Sequence, residues 1–193
     1  MSRILLIAAA LICLGLSGAV LAQDAGTQAR QLAAALDKTK YKKKDKPNVS
    51  IEIYIDIKNE PVTKSSPAEY SGEYASEDSI YRLTINVGPN GEVTGSGRDA
   101  ISFDRSRSSN FILKDARIDG AVLNAVKVYE SGDTRKFAAV FVNRTVSTGR
   151  NANEIESRDT RYGLGFIEEG TPVVAAGINE NSSWSNRIFL ERR

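Results

Sequence analysis

Histidine is absent from the 193 residues, and cysteine, methionine and tryptophan occur once each, as Cys13, Met1 and Trp184. Without histidine the chain lacks the usual general base at neutral pH, the Ser-His and Cys-His dyads and the commonest transition-metal ligand. A single thiol makes neither an internal disulfide nor a zinc-thiolate site. Charge of one sign is also missing: 26 Lys and Arg against 24 Asp and Glu leave a formal net charge of +2, too little to draw nucleic acid by a global field. The remaining chemistry belongs to carboxylates, hydroxyls, amides and guanidinium groups. No cofactor, metal or nucleic-acid partner is expected.

Residues 1 to 22 read as an export signal. Arg3 forms a positive start, residues 4 to 20 are an apolar run broken only by small side chains, and Val20-Leu21-Ala22 suits cleavage before Gln23. A membrane span needs about 20 predominantly apolar residues; this run is shorter and contains Gly15, Ser17 and Gly18. Ala10-Leu11-Ile12 lacks the small residue that lipidation at Cys13 would need. The expected product is periplasmic or extracellular, free of sulfur and without a transmembrane span.

Residues 23 to 48 differ in composition from the rest of the chain. Thr27 is placed to cap a short helix in which Ala29, Leu32, Ala33 and Leu36 recur at helical spacing. Lys38, Lys40, Lys42, Lys43, Lys44 and Lys46 then crowd before Pro47. The lysine run reads as a solvated linker, or as a contact for an anionic surface such as lipid headgroups or a polyanionic glycan. A thin alanine stripe buries little, so this arm is expected to add little stability.

At Val49 the period becomes two. Val49, Ile51, Ile53, Ile55 and Ile57 alternate with polar residues, the mark of a half-buried strand whose aliphatics fill an interior. Further strands are predicted at 70 to 75, 80 to 87, 92 to 97, 100 to 103, 111 to 118, 121 to 129, 135 to 144, 162 to 167, 173 to 177 and 187 to 191. Tight turns at Gly88-Pro89-Asn90-Gly91, Asp119-Gly120, Ser131-Gly132-Asp133 and Glu169-Gly170 connect them. Short strands with short connections predict one all-β domain over residues 49 to 193, an antiparallel meander closing into a barrel or sandwich of about eight to ten strands.

Gly72-Glu73-Tyr74, Tyr81-Arg82-Leu83-Thr84-Ile85 and Asn90-Gly91-Glu92-Val93-Thr94-Gly95 together resemble the opening hairpin of small secreted calycin-type barrels such as the avidins. The likeness covers residues 72 to 97, with Tyr74 where that hairpin carries tryptophan. It assigns no family and carries over no site.

Motifs of catalysis are missing. Gly95-Ser96-Gly97 and Gly163-Leu164-Gly165 are too short for phosphate or dinucleotide loops and read as strand glycines at a bend or bulge. Glu52 and Asp56 share a strand face about 13 Å apart, too far for paired glycosidase carboxylates. Long polar loops predicted at 104 to 110, 147 to 161 and 178 to 186 are where a rigid β scaffold would carry binding residues. The candidates are Arg105, Arg107, Arg150, Asn151, Asn153, Arg161 and Trp184: arginine for carboxylate or phosphate, tryptophan as a platform for a sugar ring. The expectation is a non-catalytic binding module with a loop-borne site for an anionic or carbohydrate ligand. The alternatives are an envelope structural or protein-interaction protein and, less favoured, a carboxylate-dependent hydrolase.

Overall fold

The computed structural model describes residues 24–46, 49–101, 104–168 and 187–193. The leader, Trp184, the strand expected at 173 to 177, the turn at Glu169-Gly170 and the loop at 178 to 186 lie outside the described residues. Helix α1 (Ala25–Leu36) comes first and is followed by ten strands: β1 (Lys38–Lys46), β2 (Val49–Pro61), β3 (Gly72–Ala75), β4 (Arg82–Val87), β5 (Val93–Ile101), β6 (Asp104–Asp119), β7 (Val122–Tyr129), β8 (Thr134–Asn151), β9 (Glu154–Glu168) and β10 (Arg187–Arg192). All pairings are antiparallel, as the meander predicted.

Pairing order explains the shape. The sheet runs β1-β2-β8-β7-β6-β5-β4-β3-β10-β9, and β9 also pairs with β8. Eight strands, β3 to β10, therefore close on themselves as a ring, while β1 and β2 extend the sheet outside it. Strand β8 makes this possible by changing partners: Thr134 to Val140 pair with β7, and Val142 to Gly149 pair with β2.

Side-chain alternation then creates two cores. Inside the ring lie Tyr70, Tyr74, Leu83, Ile85, Phe111, Leu113, Leu123, Phe137, Phe141, Leu164 and Leu190. On the outer face, Val122, Val140 and Val142 meet Ala29 and Ala33 of α1, with Leu32, Leu36 and Phe189 around them. The helix is thus docked on the ring rather than frayed, with each leucine it half-buries contributing on the order of 1.5 kcal/mol. Its cap differs from expectation. Asp24 accepts from the Thr27 N–H at 2.9 Å and from its hydroxyl at 2.7 Å, and both donors hold the Asp24 carboxyl below its usual range. A carboxylate one turn earlier makes the stronger, charge-assisted cap.

Three further expectations change. The lysine run is strand β1, not a linker, because each of its residues finds a register partner on β2. Strand β2 lies outside the ring, so Ile53, Ile55 and Ile57 belong to neither buried cluster and the interior is filled from β3 to β10. The stretches predicted as loops at 104 to 110 and 147 to 161 are strand: the first opens β6, and the second is the tip of the β8–β9 hairpin, turning at residues 152 and 153. That tip escapes the hydrophobic signal because hydroxyl pairs hold it, Thr145 with Thr160 at 2.9 Å and Thr148 with Ser157 at 2.8 Å.

The glycine pairs sit in strands with continuous register, so no bulge forms at them. A Cβ at Gly97 would strike the Phe111 ring, and one at Gly165 would strike Leu36. The absent side chains admit an aromatic ring on one side and the helix on the other.

Candidate functional site

The sequence candidates are dispersed. Arg150, near the hairpin tip, pairs with Glu156 at 3.3 Å, and both are exposed. Asn151 accepts from the Asn153 N–H at 2.9 Å and shapes the turn itself. Arg161, further along β9, is held by Asp159 at 2.7 Å and Glu191 at 3.0 Å, and these two carboxylates raise its pKa. Arg105 and Arg107 are in β6; their side chains, like Trp184 and the side chains of Lys43, Lys44 and Lys46, lie outside the described residues. Arg150 and Arg161 therefore share a hairpin but no common pocket.

Register places Arg144 of β8 directly opposite Arg161. Arg144 stacks on Phe189, 4.8 Å from the ring centroid, and burial lowers its pKa. A groove of about 390 Å³ beside this pair is lined by Val146, Thr148, Ser157, Asp159 and Glu191 among others. Here the cations already have carboxylates and an aromatic face.

A second arginine pair does not. Leu83 and Ile85 of β4 point into the ring, which turns Arg82 and Thr84 outward. The same alternation on β5 turns Ser96 and Arg98 outward, and register sets Arg82 opposite Arg98 and Thr84 opposite Ser96. The second row continues over Ile112 of β6 to Val128 of β7 and back to Glu73 of β3. These residues line an open groove of about 630 Å³ with Asn110 and Glu130 at one end. Neither Arg82 nor Arg98 forms a salt bridge among the described residues. Like charges directly opposite each other are destabilising in a sheet, and Glu73 and Glu130, which also line the groove, form no salt bridge with either arginine among the described residues.

What holds the two guanidinium groups is a backbone carbonyl. Ser79 O accepts from Arg82 Nε at 3.3 Å and from Arg98 Nη2 at 3.2 Å, while Arg98 Nε is buried without a partner. Ser79 itself has φ of 56°, a left-handed conformation that costs a non-glycine residue roughly 1 kcal/mol. Strain at Ser79 and an unmet buried donor on Arg98, behind the groove that Arg82 and Arg98 line, make this the candidate site.

No protein-family model, curated protein or solved structure matches the chain. The site therefore stands on its own geometry.

A third polar group is closed. Lys127 of β7 has the inward parity of Leu123, Ala125 and Tyr129 and is 2% exposed. Its ammonium lies 2.7 Å from Asp99 Oδ2, which also accepts from the Tyr129 hydroxyl at 2.7 Å. The Phe111 and Phe137 ring centroids are 4.9 and 5.3 Å away. Burial likewise raises the phenols of Tyr70, Tyr74 and Tyr162; Tyr70 donates to Gly120 O and Tyr74 to Tyr70 O, each at 2.7 Å. Lys127, Asp99 and Tyr129 satisfy one another inside the ring, whereas the Tyr162 hydroxyl is buried without a hydrogen-bond partner among the described residues. Among the described residues no cluster of three or more metal-ligating side chains forms, and no helix is long and apolar enough to cross a membrane.

Sequence reasoning missed Arg82 and Arg98 because they are far apart in the chain and meet only through strand register. The signal that was available is parity: Leu83 and Ile85 inward imply Arg82 outward.

Proposed function

We propose that the chain is an exported, non-catalytic binding module that takes an anionic ligand in the outer groove of Arg82 and Arg98. The reading of residues 1 to 22 as a leader supports export. The observation that supports binding is the directly opposed arginine pair with no salt bridge among the described residues, in a groove large enough for a small organic molecule whose other charged lining is Glu73 and Glu130. Guanidinium forks suit carboxylate, phosphate or sulfate, and Thr84, Ser96 and Asn110 add neutral hydrogen-bonding groups beside the Ile112 and Val128 surface. A sugar bearing an acidic group fits that mixture.

Calorimetric titration with uronic, phosphorylated and sulfated sugars tests it. Binding is expected for an acidic sugar and not for its neutral parent, with Arg98→Ala weakening it at least tenfold, the scale of one charge-assisted contact. Equal affinity for the neutral sugar, or full binding by Arg98→Ala, refutes the groove. Loss of binding in Trp184→Ala with Arg98→Ala unaffected would move the site to the segment that carries Trp184.

An interaction role in the cell envelope is the second reading, favoured by the outer edge of β1, which has no strand partner among the described residues. A hydrolase finds less support, since Asp99, the buried carboxylate, is engaged by Lys127 and Tyr129.

A further inference from the structure

Strand β1 turns the lysine run into a surface. Lys38 lies opposite Ile57, Lys40 opposite Ile55 and Lys42 opposite Ile53, and the register continues to Lys46 opposite Val49. Directly opposed residues project from the same side of a sheet, so one face of the ribbon sets three ammonium groups beside three isoleucines. Lys38 and Lys42 are exposed, Lys40, Ile53 and Ile55 are half-buried, and Ile57 is buried, so Ile53 and Ile55 are the isoleucines this face presents.

The reverse face is built otherwise. Thr39 donates to Asp56 at 2.6 Å, and Tyr41 packs on Tyr54 with ring centroids 5.4 Å apart. Each of these cross-strand pairs completes itself. On the lysine face none does: Lys38, Lys40 and Lys42 form no salt bridge among the described residues, and an isoleucine offers an ammonium no partner.

We propose that this face docks on an anionic lipid surface. Isoleucine methyls enter the boundary below the headgroups while the lysine stems lie along them and carry their ammonium groups to the lipid phosphates. Charge complementarity selects the partner. An acidic protein would match the lysines and leave the isoleucine row unexplained, whereas a bilayer surface meets both rows at once. The ribbon stands outside the ring at one end of the sheet, so docking leaves the groove of Arg82 and Arg98 free. The two proposals use different strands and fail independently.

The test is co-sedimentation of the purified protein with phosphatidylcholine vesicles, with and without phosphatidylglycerol. Binding is expected only with the anionic lipid and should weaken as salt shortens the screening length from about 10 Å at 0.1 M toward 3 Å at 1 M. Lys38→Gln, Lys40→Gln and Lys42→Gln together should lower the partition coefficient roughly 100-fold, at about 1 kcal/mol per lysine. Neutralisation of two exposed lysines on other strands, Lys114 and Lys136, should leave it within about twofold. Circular dichroism of the triple variant confirms the fold. Absence of binding to anionic vesicles, equal binding to neutral ones, or equal loss in both sets of variants overturns the proposal. Capture of polyglutamate without vesicle binding overturns it in favour of an acidic protein.

Discussion

Two arginine pairs face each other across neighbouring strands of the same sheet, and they have opposite surroundings. Around Arg144 and Arg161 the protein supplies Asp159, Glu191 and the ring of Phe189. Around Arg82 and Arg98 the hydrogen bonds run to one carbonyl, that of Ser79 with its left-handed φ, and Glu73 and Glu130 line the groove without a salt bridge to either. Identical side chains in identical register can thus be a closed structural unit or an open one, and the surrounding groups decide which. Closed charge contributes to the native state; open charge waits for something outside the molecule. Asp99 and Lys127 are the closed extreme, because both are buried and meet each other, with Tyr129 and aromatic rings around them.

That contrast predicts a ranking of stabilities. Asp99→Asn removes the carboxylate charge 2.7 Å from the buried Lys127 ammonium and should cost about 3 to 5 kcal/mol, read as a melting temperature lower by roughly 10 °C or more. The double change Asp99→Leu with Lys127→Met should recover most of the loss. If Asp99→Asn melts within about 2 °C of the parent, the interior charge is not closed and the ranking has no top. Arg144→Ala should cost about 1 to 2 kcal/mol in urea titration, through lost packing on Phe189 and lost cover for the outer face. Smallest is Arg82→Ala or Arg98→Ala, expected within about 0.5 kcal/mol and on the stabilising side, because each relieves a like-charge pair. A loss there as large as that of Arg144→Ala would make the two pairs equivalent and remove the groove's claim to be a site.

The ring was legible where local chemistry is strict. Gly88 to Gly91 turn as read, with Gly91 N–H donating to Gly88 O at 3.0 Å, and the alternation of Leu83 and Ile85 does point inward. Legibility failed where partners, not propensities, set the structure. Lysine composition signals solvation, yet lysine at every second position from Lys38 to Lys46 also has a strand's period, and β2 supplies the register that settles it. The hairpin tip looked like loop because its two faces are polar, and hydroxyl ladders leave no hydrophobic period. The isoleucines of β2 were rightly read as strand and misplaced in space, since alternation reports a half-buried face without saying which core, if any, lies beneath it. Lys127 sits within an inward series of Ala125 and Tyr129, a parity that marks a buried cation before its partner is known.

Strand β10 pairs with β9 on one side and β3 on the other, and Arg192 donates to Ser71 O across 121 residues of chain. It is the keystone of the ring. While the chain is being made, every strand before β10 can be present and the ring still stands open, with β3 and β9 offering bare edges to any other chain. Arrival of one short segment ends that vulnerable interval, so a ribosome that stops before β10 would release a product prone to aggregate rather than a slightly smaller version of the same protein.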